Sequence, residues 1–137
     1  MLLVDTNVWV ETADATNRAY QACVDVLAAN VGRLVTPVTV VVETAWLIES
    51  RLGPAAETRF LRTVTTPEAV TIVDLTPADW VRVIELVDTY ADLGLGTVDA
   101  SIIAVAERLG ITTIATMNAR DFRVVRPAHT TAFDLVP

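Results

Sequence analysis

Four carboxylates in this chain of 137 residues, Asp5, Glu43, Asp99 and Asp121, carry its most legible chemistry. Asp5 closes the apolar run Leu2-Leu3-Val4 and is followed at once by Thr6 and Asn7. An apolar run of this kind reads as a strand covered on both faces. A carboxylate at its carboxyl end stands at the rim where open α/β sheets bind ligands, although alone it serves equally as a helix N-cap. Glu43 interrupts an apolar stretch, Val41-Val42 before it and Ala45-Trp46 after it. Asp99 falls in the first turn of a helical pattern, and Asn118 and Asp121 follow the strand-like stretch Ile111–Ala115. Two charges 4 Å apart repel by ~4 kcal/mol at an effective dielectric near 20. Several acids in one pocket therefore protonate or splay apart unless a cation holds them. Oxygen-only ligation suits a hard ion such as Mg²⁺ or Mn²⁺, which keeps waters and binds substrate phosphate. These residue types point to metal-dependent hydrolysis of a phosphodiester.

The elements that must position the acids can be read in order. After the first strand, Val8 to Glu11 reads as a short helical turn and Tyr20 to Ala29 as a helix ended by Asn30 and Gly32. Leu34-Val35-Thr36 reads as a strand, with Pro37 suited to the first turn of the next helix. The valines from Val38 to Val42 favour a strand by propensity. Pro37 and the uninterrupted run through Ser50 decide for a helix, so that Thr36, Thr39 and Glu43 share a face. A further helix spans Ala55 to Val64, with Phe60, Leu61 and Val64 as its core face. Val70–Val73 reads as a strand, and Thr76-Pro77 opens a helix to about Tyr90 with Trp80, Val83, Ile84 and Val87 on one stripe. Thr97 begins a helix ending at Gly110, Ile111–Ala115 is the next strand, Met117 to Phe122 is a polar loop, and a last strand falls between Val124 and Val136. Strands alternating with helices imply a single α/β domain over residues 1–137, a three-layer α/β/α sandwich around a mostly parallel sheet. Each helix of such a fold leaves the carboxyl edge of the sheet. Asp5, Glu43, Asp99, Asn118 and Asp121 therefore share one edge.

Composition narrows the chemistry. Asp and Glu outnumber the basic residues by 17 to 10, for a formal net charge of −7. That argues against a broad basic face for nucleic acid. It leaves room for a polyanionic substrate handled by a metal and a few local arginines. Every basic residue is an arginine. Without a lysine the chain lacks the partner that receiver-like phosphotransfer wants, and it cannot build a P-loop. Phosphatases of the haloacid-dehalogenase type want a second acid two residues after the first, where this chain has Asn7. Zinc or thiol chemistry would have only His129 and Cys23. Cys23 reads as buried packing, and His129 as surface structure. The hydrophobic share is 53% and the mean hydropathy +0.48, yet no apolar run approaches the ~18–20 residues of a membrane span. No secretory leader is evident. One cysteine and no leader lead us to expect a cytoplasmic protein.

Taken together, Leu3-Val4-Asp5-Thr6-Asn7, the mid-chain Glu43, Val98-Asp99-Ala100-Ser101-Ile102-Ile103-Ala104 and Ala115-Thr116-Met117-Asn118-Ala119-Arg120-Asp121-Phe122 resemble a PIN domain, in the order and spacing of VapC ribonuclease toxins. The resemblance covers essentially the whole chain. It implies an Mg²⁺- or Mn²⁺-dependent endoribonuclease, the toxin of a type II toxin–antitoxin pair, forming a homodimer and inhibited by a VapB-type antitoxin. It also implies that Asp5, Glu43 and Asp99 are metal-binding acids. The fourth position is open between Asn118 and Asp121; Asp121 ranks first because a carboxylate is the better ligand for a hard ion. Thr6, Asn7 and Thr116 are expected to orient the acids or position substrate. Arg120, Arg123 and Arg126 follow the acid edge and are expected to contact RNA phosphates. Trp9 and Trp46 suit a core or an interface equally. The alternative of another class is a PIN-fold binding or scaffold module without catalysis, which the retained acids count against.

Overall fold

A computed structural model describes residues 1–137. Five strands form one sheet: β1 (Leu2–Val4), β2 (Leu34–Pro37), β3 (Val70–Val73), β4 (Thr113–Ala115) and β5 (Asp134–Val136). All pair in parallel, in the order β3-β2-β1-β4-β5. Seven helices connect and flank them: α1 (Thr6–Glu11), α2 (Tyr20–Ala29), α3 (Val38–Leu52), α4 (Pro54–Val64), α5 (Pro77–Thr89), α6 (Thr97–Leu109) and α7 (Ala119–Val124). The expected α/β/α sandwich is present, and its sheet is wholly rather than mostly parallel.

The central strand shows why the layers are three. Leu2, Leu3 and Val4 are all buried. Because side chains alternate across a strand, apolar cover is needed above and below. Leu3 pairs with Val35 on one side and Ile114 on the other. The chain first builds outward from β1 through β2 to β3, then returns to lay β4 on the other side of β1. That reversal opens a crevice at the carboxyl ends of β1 and β4, the topological switch point of the sheet.

Helix boundaries follow local chemistry. Thr76 accepts from the Asp79 amide at 3.1 Å while Asp79 accepts from the Thr76 amide at 2.9 Å, a reciprocal capping box before α5. α6 ends at Gly110, whose φ of 65° is left-handed and costs a residue without Cβ nothing. Pro37 is the last residue of β2 and the N-cap of α3, one position earlier than the first-turn place expected for it.

Three expectations need correction. Met117 to Phe122 is not wholly loop, since Ala119–Val124 is helical and buries Phe122 edge-on against Phe133, with ring centroids 6.3 Å apart. On α5 the buried face is Asp79, Val83 and Leu86, so Trp80 and Ile84 of the expected core stripe lie outside, 45% and 67% exposed. Asp79 tolerates burial because the capping box and the Arg108 guanidinium, at 2.9 Å, satisfy it. On α4, Phe60 and Val64 are buried with Ala56 while Leu61 is exposed. The two ambiguous tryptophans divide. Trp9 is in the core, its indole N–H donating to Thr36 Oγ1 at 3.3 Å, whereas Trp46 is 65% exposed. His129 is half-buried, with Nε2 against the Ile111 carbonyl at 2.8 Å.

Candidate active site

Asp5 is both of the things its sequence position allows. It caps α1, its Oδ1 accepting from the Thr6 amide at 2.6 Å, and its other oxygen accepts from Thr116 Oγ1 at 2.7 Å. Thr116 follows β4, so this bond spans the switch-point crevice. The Thr116 hydroxyl spends its one proton on Asp5 and accepts from the Asn118 amide at 2.9 Å. Asn7 ties the same two segments together, accepting from the Met117 amide at 2.9 Å. A carboxylate offers about four lone-pair sites, so Asp5 keeps acceptor capacity facing the crevice.

Glu43 reaches the crevice from the second turn of α3, where its Oε2 accepts from Thr6 Oγ1 at 2.6 Å. Asp99 arrives from the first turn of α6. The spacing between these helices is held by two hydroxyls. Ser101 donates to the Val98 carbonyl at 2.6 Å, which leaves Thr39 to donate to Ser101, also at 2.6 Å. Asp121, on the short helix after β4, accepts from the Asn118 side-chain amide at 2.8 Å.

A cleft of about 220 Å³ is lined by Asp5, Glu43 and Asp99, with Thr6, Asn7, Glu11 and Arg51 among its other walls. A larger cavity of about 410 Å³ lies among Trp9, Leu27, Ile48 and Phe60; it is mainly apolar, and Arg59 is its only charged lining residue. The acidic cleft is where the chemistry can occur. Burial raises the Asp5 carboxyl above its ordinary value, against the hydrogen bonds from Thr116 and Thr6. Asp99 is pushed to about 7, by burial first and then by the charges of Asp5, Asp121 and Glu43. No hydrogen bond lowers it. Asp5, Glu43 and Asp121 are thus each close enough to act on Asp99, the focus of the acidic set.

This donor set fits a divalent cation. Its free groups are oxygens, its charges are uncompensated, and a hard ion would offset the repulsion centred on Asp99. No three acidic, His or Cys side chains stand in ready-made ligating geometry. Asp5, Glu43 and Asp99 line the cleft; Asp121 is not part of its lining, though its charge reaches Asp99. Thr6, Asn7, Thr116 and Asn118 form the hydrogen-bonded frame around them. Arg120, Arg123 and Arg126 are exposed and none lines the cleft. Sequence reasoning passed over Arg51, Glu11 and the Thr39–Ser101 pair. The signal for Arg51 was its place eight residues after Glu43, two helical turns along one face.

The family model described as PIN domain matches residues 2–126. Ribonuclease VapC26 of Mycobacterium tuberculosis is 26% identical over 136 residues, covering 99% of this chain and 100% of that protein. The crystal structure of M. tuberculosis VapC20, described as a sarcin-ricin loop cleaving toxin, superposes with a TM-score of 0.77 at 21% identity, over 83% of this chain and 87% of that one. A toxin–antitoxin complex from Klebsiella pneumoniae gives 0.71 at 20% identity, over 97% and 99% of the two chains. DNA-bound VapBC from Salmonella typhimurium gives 0.70 at 17%, over 98% and 95%.

Proposed function

The chain belongs to the PIN domain family, and from that premise we propose that it is a metal-dependent endoribonuclease, the toxin of a type II toxin–antitoxin pair. The observation that carries this reading is the convergence of Asp5, Glu43 and Asp99 on one cleft, with Asp121 close enough to raise Asp99. The relative named a ribonuclease over its full length supports the same reading.

Asp5 and Asp99 would hold the principal ion, Mg²⁺ or Mn²⁺, with Glu43 and Asp121 completing the acidic set. When bound, such an ion supplies Lewis acidity toward the scissile phosphate and lowers the pKa of water. The side chains do the rest. Thr116 and the Thr6 amide fix the Asp5 carboxylate so that its free lone pairs point into the cleft. Glu43 has one oxygen engaged by Thr6 and the other free, so it can accept a proton from the attacking water and hold that water in line. Asn118 holds Asp121 in place rather than competing with it, which favours Asp121 as the fourth acid. Family resemblance implies products with a 5′-phosphate and a 3′-hydroxyl.

The antitoxin, of VapB type, would cover this acidic rim and set an arginine against the carboxylates, because an uncompensated anionic cleft is most strongly stabilised by a buried cation. Solved structures of the same fold include toxin–antitoxin complexes. A homodimer is supported by an exposed apolar belt: Val42 and Trp46 on α3, and Trp80 and Ile84 on α5, are 45–67% exposed. No helix is long and apolar enough to cross a membrane, and the single cysteine fits a reducing cytoplasm.

The deciding experiment incubates purified protein with RNA, with and without Mg²⁺ or Mn²⁺, beside Asp5→Asn. Cleavage should require the ion and fall by more than ~100-fold in the variant, beyond the loss that follows from disturbing a ligand's supporting partner. If the protein cuts no RNA and its Tm does not rise with metal, it is a binding or scaffold module instead.

A further inference from the structure

A site for RNA must solve an electrostatic problem that four carboxylates make worse. The chain carries a net charge of −7, so its field repels a polyanion at long range. A divalent ion held by the acids would compensate the reacting phosphate, but the neighbouring phosphates of the strand would still need a cation. Among the residues lining the cleft, Arg51 is the sole basic one. Its companions there include the acids Asp5, Glu11, Glu43 and Asp99.

We propose that Arg51 positions the RNA by binding a backbone phosphate next to the scissile one. The inference rests on the ribonuclease reading above. Arg51 stands in the last turn of α3, in line with Leu47 and Glu43 at successive intervals of four residues. Eight residues of helix separate the two Cα atoms by ~12 Å, and helical side chains lean back toward the N-terminus. α3 starts at the carboxyl edge of the sheet, so that lean is toward the acids, whose cleft Arg51 lines. The carboxylates and the guanidinium bracket a short stretch of cleft that one strand of backbone can cross.

The guanidinium is also unspent. The ion pairs of the chain join Arg82 to Glu85 and Glu107, and Arg108 to Asp79; none uses Arg51. Glu11 lines the same cleft without approaching it to pairing distance. An exposed arginine with no carboxylate partner presents a planar fork that matches two phosphate oxygens. Arg120, Arg123 and Arg126 lie outside the cleft and can add general attraction, but they do not reach across it. The plain structural role for Arg51 is to complement the C-terminal end of the α3 dipole. That role predicts an effect on stability and none on the salt dependence of RNA binding.

The test compares wild type with Arg51→Gln, Arg51→Lys and, as a control in the other cavity, Arg59→Gln. Steady-state cleavage of a single-stranded RNA gives kcat and KM. Binding of the same RNA, in an Asp99→Asn background that blocks cleavage, is measured across salt concentrations. Losing one phosphate contact should make the slope of log affinity against log salt shallower by ~0.7, and so weaken binding about fivefold at 0.1 M salt. KM should rise by a similar factor while kcat changes less than about twofold. Arg51→Lys should recover most of the slope, and Arg59→Gln should match wild type. An unchanged KM and slope in Arg51→Gln, with wild type active, would overturn the inference and leave the ribonuclease reading standing. So would a loss confined to kcat, or one confined to binding of an acidic protein partner. Failure of wild type to cut or bind RNA removes both.

Discussion

Replacing Asp99 by Asn should stabilise the metal-free protein in a manner set by pH. In the folded chain Asp99 holds its proton up to about pH 7, whereas its ordinary value is 3.8. Between those limits the native state binds more protons than the unfolded state, so stability falls as pH rises through that window. The penalty is complete above about pH 7 and vanishes near pH 4. A tenfold change in proton affinity is ~1.36 kcal/mol, so the full rise is worth ~4 kcal/mol. Asp99 is half-buried and its neighbours titrate with it, so screening and coupling leave ~2 kcal/mol for the amide to recover. For a chain of this size that is a gain of ~6–10 °C in Tm. The assay is thermal unfolding of wild type and Asp99→Asn in EDTA at pH 8 and pH 4. Adding Mg²⁺ or Mn²⁺ at pH 8 should raise the wild-type Tm and do less for the variant. An equal gain at both pH values, or none at pH 8, would refute the claim that carboxylate repulsion focuses on Asp99.

Thr116→Val removes the hydroxyl that orients Asp5 across the crevice, and should weaken metal affinity by ~10–100-fold; titration calorimetry against Mn²⁺ measures it. Asp121→Asn should lower cleavage more than Asn118→Ala, because the Asp121 charge acts on Asp99 whereas the Asn118 amide only donates to Asp121; the reverse order would make Asn118 the fourth ligand. Trp46→Glu or Trp80→Glu should shift the protein to a monomer by light scattering with its circular dichroism unchanged, since both side chains are exposed. A native dimer that survives both substitutions would move the interface elsewhere.

The edge on which the acids lie is legible in the sequence because it depends on topology more than on packing. In a parallel βα fold the ends of strands and the starts of helices share an edge. Asp5 after a strand, Glu43 and Asp99 early in helices, and Asp121 after a strand therefore fall at that edge, and three of them, Asp5, Glu43 and Asp99, line one cleft. Helix boundaries at Thr76-Pro77 and Gly110 were readable for a related reason, since caps are local chemistry. The faces of helices were less so. A stripe such as Trp80, Val83, Ile84 and Val87 marks an apolar surface without saying which neighbour takes it. α5 turns toward the core the face that carries Val83 and Leu86, and Asp79 on that face is tolerated because Arg108 of α6 pairs with it.

Sequence alone determined what the chain offers: which acids it possesses, that its alternating strands and helices set them at one edge, and that it has no lysine, one histidine and one cysteine. Tertiary structure decided the rest. It placed β4 beside β1, so that Thr116 and Asp5 meet across the switch point though 111 residues apart. It sent Trp9 inside and left Trp46 outside, made a helix of Ala119–Val124 because Phe122 found Phe133, and left Arg51 facing the acids without a partner. The division has one physical cause. Local spacing specifies what a segment offers, whereas burial and pairing depend on which distant segment packs against it.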